Sequence, residues 1–418
     1  MVKPRRPCRK GRGTSEEEMR SGGKYNSTCP NPMNRNDRKA WRLSYGLNIY
    51  PGETWAEMTD AMERHAAMVR AQVAPHRPFA VGLRLSAAAA AEADERRVAA
   101  LRGRMESLGL YAHTINAFPY GRFHGPRVKE RVYTPDWRMP ERLAYTRRAA
   151  EILAGLLPEG ASGSISTVPV SYREWMRTAE DAALAAARLR EAGEMLARLR
   201  DRTGRHIGLA LEPEPDCFLE TEEEAIAFLS SFRQAGEGGR HLGVCFDVCH
   251  MAVLGRPVAE ALRRLREAGT PVFKVQISAA PVARNEANGR HALAKFADDV
   301  YLHQTFAFDG EGGRRGRWKD LPEALEALAR WPEEGEVRAH VHVPIHWRGD
   351  GAALATTADE MNEAFWREAL AATQDFEIET YTFDVLPPAF RASGLVDSIV
   401  AEYRWAWERL RAVSGDAS

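Results

Sequence analysis

The stretch GVCFDVCHMAV, Gly243 to Val253, runs apolar for several residues and then places Asp247 and His250 where the apolar run gives out. Such a run reads as a buried strand. A carboxylate at its edge loses hydration that only a hydrogen-bond donor, a cation or a metal restores. Seven other segments read as strands: RLSYGLNIY (42–50), FAVGLRLS (79–86), GLYAHTIN (109–116), GSISTVPV (163–170), IGLALEP (207–213), PVFKVQIS (271–278) and FEIETYTF (376–383). Between them lie longer patterns with apolar residues at helical spacing, among them WAEMTDAMERHAAMVRAQV (55–73), ERLAYTRRAAEILAGLL (141–157), a run from Arg173 to Arg200 and AIAFLSSFRQ (225–234). Alternating strands and helices signal βα units, and eight of them, at about 35 to 40 residues each, predict a closed (β/α)8 TIM barrel. No Gly-rich phosphate fingerprint follows any strand, which argues against an open doubly wound sheet. A ninth strand-like segment, VRAHVHVPIHW (337–347), lies between the seventh and eighth strands with YLHQTFAF (301–308) before it. Both are assigned to an elaborated loop region on the catalytic face, arranged as a hairpin.

With 418 residues, 44% of them hydrophobic, the chain has ample material for one large core. Lys+Arg and Asp+Glu both total 58, so there is no charge excess to draw it onto a polyanion, and no nucleic-acid partner is expected. Cys8, Cys29, Cys217, Cys245 and Cys249 are odd in number and sparse, as in a reducing compartment. With no run of 18 apolar residues, and no apolar segment after the basic start MVKPRRPCRKGRG, a cytoplasmic protein is expected. Residues 1–40 hold eleven Lys/Arg against four Asp/Glu and almost nothing apolar; they read as a disordered basic tail, leaving 41–418 for the barrel.

Barrel active sites form where strands run out at the C-terminal face. Asn48 ends the first strand, His113 and Asn116 lie on the third, Glu212 closes the fifth, Asp247 the sixth, Gln276 lies on the seventh and Glu379 on the eighth. Barrel closure would gather Glu212, Asp247 and Glu379, and three like charges so close need a cation or must share a proton. Oxygen ligands with an amide or imidazole suit Mn2+ first, with Mg2+, Zn2+ or Co2+ as alternatives. Glu212 and Glu379 form the candidate acid/base pair. His340 and His342, two apart in a strand, would share one face, the alternative being an exposed hairpin with solvated imidazoles. Zinc through Cys245 and Cys249 is not expected, because no second pair of the CxxC type exists.

LEPEP, DVCH, a polar residue on the next strand and the acid in ETYTF together resemble the metal-site sequence of the xylose-isomerase-like TIM barrels, the superfamily of sugar isomerases, ketose 3-epimerases and endonuclease IV. The similarity spans most of residues 41–405. It implies that Glu212, Asp247, Gln276 and Glu379 bind a divalent metal and that His250 contacts the substrate, with Asn48, His113, Asn116, His340 and His342 as further candidates for substrate binding. Within that span LSYGLNIYPGETW, YAHTINAFPYGRFHG, VKERVYTPDWR, FDVCHMAV and HVHVPIH resemble the EboE-type metabolite traffic proteins, a bacterial family encoded with a prenyltransferase-like membrane protein. That resemblance implies a small-metabolite ligand, a membrane partner and association with the inner face of the cytoplasmic membrane. Many epimerases carry histidine where Gln276 stands, and a neutral amide is the weaker ligand. The expectation is therefore a metabolite traffic protein that binds a small molecule at a divalent-metal site, the alternative being a metal-dependent sugar (phosphate) isomerase or epimerase.

Overall fold

The structure, a computed structural model, describes residues 41–125, 127–233 and 236–415. The basic tail expected over 1–40 lies outside the described residues. Seven strands come first: β1 (Arg42–Gly46), β2 (Phe79–Arg84), β3 (Leu110–Asn116), β4 (Ser162–Thr167), β5 (His206–Leu211), β6 (Leu242–Asp247) and β7 (Val272–Ile277). Five short strands follow: β8 (Pro281–Arg284), β9 (Thr305–Phe308), β10 (Arg314–Trp318), β11 (Glu336–Ala339) and β12 (Leu354–Thr356). The last is β13 (Asp375–Ile378). β1 to β7 and β13 close a parallel barrel in the order β1-β13-β7-β6-β5-β4-β3-β2, so all eight segments read as barrel strands are barrel strands. Helices cover it outside. Thr178 and Asp181 form a capping box that starts the helix Ala179–Thr203, while Arg173–Trp175, read from the sequence as part of that helix, is a separate turn.

β8 to β12 form a second sheet, antiparallel, in the order β10-β9-β11-β8-β12. The expected hairpin is therefore corrected to a five-stranded sheet inserted between β7 and β13. β9 and β11 are neighbours in it, but β10 pairs with the far side of β9 and β8 with the far side of β11. β11 ends at Ala339, so His340 and His342 leave the strand rather than sharing a face of it.

Charged side chains fill the barrel interior below its C-terminal rim. Arg42 grips Asp375 through Nε at 2.5 Å and Nη2 at 2.7 Å, and Nη1 donates to Ser162 O at 3.0 Å, closing the N-terminal end. Higher up, Lys274 pairs with Glu377, both about 1% exposed. Gly82 makes room for that pair, since a Cβ there would sit 1.6 Å from Glu377 Oε1. The carboxylate is held by Lys274, and both side chains are buried, so a move away from the new methyl would break that pair. Gly82→Ala is expected to lower the unfolding free energy by about 3 kcal/mol, an overpacking cost measurable by urea denaturation. Among the described residues no helix is long and apolar enough to cross a membrane.

Candidate active site

The barrel strands run parallel, so residues at their C-terminal ends meet at one rim. Glu212 follows β5, Asp247 closes β6 and Glu379 follows β13; all three are buried, and one oxygen from each lies within 4.8 Å of the others. Each also holds an oxygen without a hydrogen-bond partner: Glu212 Oε2, Asp247 Oδ2 and Glu379 Oε2. The other oxygens of Asp247 and Glu379 are tethered. Asn48 and Asn116 donate their amides to Glu379 Oε1 at 2.7 and 3.3 Å, and Ser278 Oγ and the His250 N–H donate to Asp247 Oδ1 at 2.7 and 3.0 Å. Asp247 is at once the last residue of β6 and the N-cap of the helix Val248–Val253, which explains why the apolar run ends in DVCH. Burial first, and then the neighbouring carboxylates, push the carboxyls of Glu212 and Glu379 well above their usual range.

Gln276 stands opposite Asp247 in the ladder between β6 and β7. Its Oε1 accepts from the Cys245 thiol at 3.0 Å, and its amide nitrogen has no partner. A half-turn of the amide exchanges the two ends and turns the oxygen toward the unpartnered side. Buried carboxylate oxygens without donors, with an adjacent amide, fit a hard divalent ion.

Three imidazoles lie beside this group. His250 donates Nδ1–H to Pro213 O at 3.0 Å, His342 to Glu379 O at 2.8 Å and His340 to Gln304 Oε1 at 2.8 Å. Those acceptors set the tautomers, leaving Nε2 as the lone-pair nitrogen in all three. His340 and His342 are 3% and 1% exposed, so the solvated-hairpin alternative does not hold. Burial lowers His250 to about 4 and keeps it neutral. Asp247 with His250 and His342, and Glu214 with His250 and His340, likewise bring donor atoms within 4.8 Å.

His113 does not join them. Its Nε2 lies 3.9 Å from Asp375 at the opposite end of the barrel, and burial, followed by Arg42, lowers it to about 3. The pairing of β3 with β2 skips His113, passing from Val81↔Ala112 to Gly82↔Thr114, and that irregularity breaks the alternation along the strand.

Several groups escaped the sequence reading. Glu214, raised by burial to about 8, accepts from Tyr133 Oη at 3.0 Å, and Gln304 Nε2 donates to that hydroxyl at 3.2 Å. The second Glu of LEPEP was the available signal: two residues beyond Glu212, it returns to the same side. Glu402, on the C-terminal helix Leu395–Ser414, accepts from Tyr45 Oη at 2.9 Å, Thr380 Oγ1 at 2.6 Å and the Ile345 N–H at 3.1 Å. It ties together β1, the segment after Glu379 and the segment bearing His342. Nothing local in the sequence marks it.

A cleft opens over the acids, with about 550 Å3 of empty space when the open solvent at its mouth is counted in. Asn48, Asn116, Glu212, His250, His340 and Glu379 line it, together with Glu214; Asp247, Gln276 and His342 are buried without lining it.

A family profile described as "Xylose isomerase-like TIM barrel" matches residues 80–329. The comparison with curated proteins returns no match. Among solved structures, a xylose isomerase-like TIM barrel protein from Mycobacterium smegmatis in complex with magnesium is similar at a TM-score of 0.50 and 14% identity, over 90% of this chain and 99% of that one. The IOLI protein with a zinc atom gives 0.49 and 11%, over 89% and 99%, and an L-ribulose 3-epimerase 0.48 and 13%, over 90% and 97%. At these identities the likeness is one of fold.

Proposed function

Because the chain belongs to the xylose isomerase-like TIM barrel family, we propose that it is a metal-dependent isomerase or epimerase that moves a proton on a carbon next to a carbonyl. The three buried carboxylates at the ends of β5, β6 and β13, each with an oxygen free of hydrogen bonds, support this reading. Glu212, Asp247 and Glu379 would hold the ion, with Gln276 completing the set after its amide turns, and Mn2+ suits that donor set first. A bound divalent ion supplies positive charge to a carbonyl oxygen and so acidifies the adjacent C–H. The chain's own part is proton transfer. Glu212 and Glu379 come from strands that β6 and β7 separate, and on this reading one takes the proton from the substrate carbon and the other returns it. Asn48 and Asn116 hold Glu379 in place for this step. The metabolite-traffic role and its membrane partner rest on the sequence resemblance alone.

In deuterium oxide the Mn2+-loaded protein is expected to exchange the α-proton of a 2-hydroxyketone, and Glu212→Gln and Glu379→Gln are each expected to slow that exchange by about 100-fold or more, because an amide cannot accept the proton. Metal-loaded protein that binds hydroxyketones yet exchanges none of them would be a carrier instead.

A further inference from the structure

We propose that the molecule this cleft takes is an unphosphorylated 2-hydroxyketone whose distal end is an apolar, ring-sized group, rather than a free sugar or a sugar phosphate. The inference rests on the reading of the site just given and adds to it the class of substrate.

The carboxylates, amides and imidazoles of the lining are Glu212, Glu214, Glu379, Asn48, Asn116, His250 and His340, and its other polar groups are the Lys129 ammonium and the hydroxyls of Tyr133, Tyr301 and Tyr381. The rest of the lining is apolar, Phe118, Pro119, Phe123, Val128, Val132 and Leu302, with the ring faces of Tyr301 and Tyr381 beside it. A ketose places two oxygens at its reacting carbons and several more along the rest of its chain. The first two suit the acids, amides and imidazoles; most of the others would face carbon, with the Tyr381 hydroxyl too few for them all. A hydroxyl desolvated without a partner costs roughly tenfold in affinity, and a ketose would bring several. The Tyr133 hydroxyl, also in the lining, is already occupied, donating to Glu214 and accepting from Gln304.

Aromatic walls alone do not exclude sugars, because an aromatic face can carry the apolar face of a pyranose. The hydroxyls around the sugar's edge must then find partners in the plane of its ring. Val128, Val132 and Leu302 offer none. What is present is a set of mutually packed rings: Phe123 to Tyr381 at 5.0 Å between centroids, Tyr301 to Tyr381 at 5.3 Å and Phe123 to Tyr301 at 5.4 Å. Such edges and faces pack a ring-sized apolar group well. The set is also coupled to Asn48. Tyr301 Oη donates to His124 Nδ1 at 3.2 Å, and His124 Nε2 donates to Asn48 O at 2.6 Å.

A phosphate has no place here. It needs cations or a nest of backbone N–H groups, and among the described residues that line the cleft the one formal cation is Lys129, whose ammonium is paired with Asp320. Glu212, Glu214 and Glu379 beneath it would repel a dianion.

Isothermal titration of the full-length protein in Mn2+ compares three probes: 2-hydroxy-1-phenylethanone, D-fructose and D-fructose 6-phosphate. The aryl ketone is expected to bind at least tenfold more tightly than fructose, with no heat from the phosphate. In Leu302→Asn that preference should shrink by about tenfold, because a polar wall readmits hydroxyls. Deuterium exchange on the same samples separates the two readings. If fructose binds as tightly as the aryl ketone and exchanges, the substrate class is wrong and the isomerase stands. If the aryl ketone binds selectively but never exchanges, the ligand class stands and the isomerase falls. Tight binding of the phosphate, or no binding by any probe, overturns the inference.

Discussion

Lys274→Met is expected to lower the unfolding free energy by about 3–5 kcal/mol, the cost of breaking one buried ion pair and leaving its partner charged in the interior. Lys274 and Glu377 are each about 1% exposed, so neither has water to fall back on. Burial works against the ammonium, but Glu377, with Glu379 and Glu212 above it, outweighs that and holds the Lys274 pKa above its usual value. The lysine is thus a fixed internal cation under the acidic cluster. Without it, Glu377 keeps Oε1 unpartnered and loses the donor to Oε2. The double variant Lys274→Met/Glu377→Leu removes both charges and should recover most of the loss, since well-packed apolar residues often replace a buried pair at little cost. Chemical denaturation of the two variants checks this. A single variant within about 1 kcal/mol of the parent would show that solvent or another group already compensates the pair.

The same pair shows what the sequence made legible. On β7 the pattern VFKVQI has Lys274 and Gln276 two apart in an otherwise apolar strand, so both point inward by simple alternation. Most of the barrel strands were readable for the same reason, as runs long enough to show their period, and β13, only four residues, was legible through the longer segment FEIETYTF that overlaps it. The second sheet was not. β8 and β12 are four and three residues long, too short to show alternation, and their pairings join residues more than 50 positions apart, such as Val282 with Arg338. Strand ends were a better guide than strand membership. Asn116 terminates β3 and reaches Glu379, whereas His113, three residues or roughly 10 Å earlier along the same strand, falls among the charges at the far end. His340 and His342 came to the right place for a reason the sequence did not contain. Inserted strands deliver them to the rim, and the Glu379 carbonyl and Gln304 amide fix their rings. Glu402 acts from the last helix through three separate segments, and such a contact is visible only after folding.

Asp247→Ala is expected to weaken Mn2+ binding by at least 100-fold, and with it to remove any rise in melting temperature that the ion produces. Asp247 does two things. One oxygen, tethered by Ser278 and the His250 N–H, fixes where β6 ends and the helix begins; the other has no partner, and the carboxylate brings an oxygen within 4.8 Å of oxygens of Glu212 and Glu379. Removing it takes away an anionic ligand, so the remaining donors offer too little charge to offset dehydration of the cation. It also takes away the N-cap, at a cost of about 1 kcal/mol. Asp247→Asn separates these effects, because the amide oxygen can still cap the helix while the charge is gone. Both variants should lose the ion, and only the alanine should lose stability in its absence. The measurement is titration of apo protein with Mn2+, backed by elemental analysis of protein as purified. If the parent holds no divalent ion and takes none up, the three acids must solve their repulsion another way. With Glu212 and Glu379 both pushed toward the neutral form by burial and by the Asp247 charge, the cluster would then share protons, and Asp247→Asn would bring both glutamic acids back toward their usual range by removing that charge.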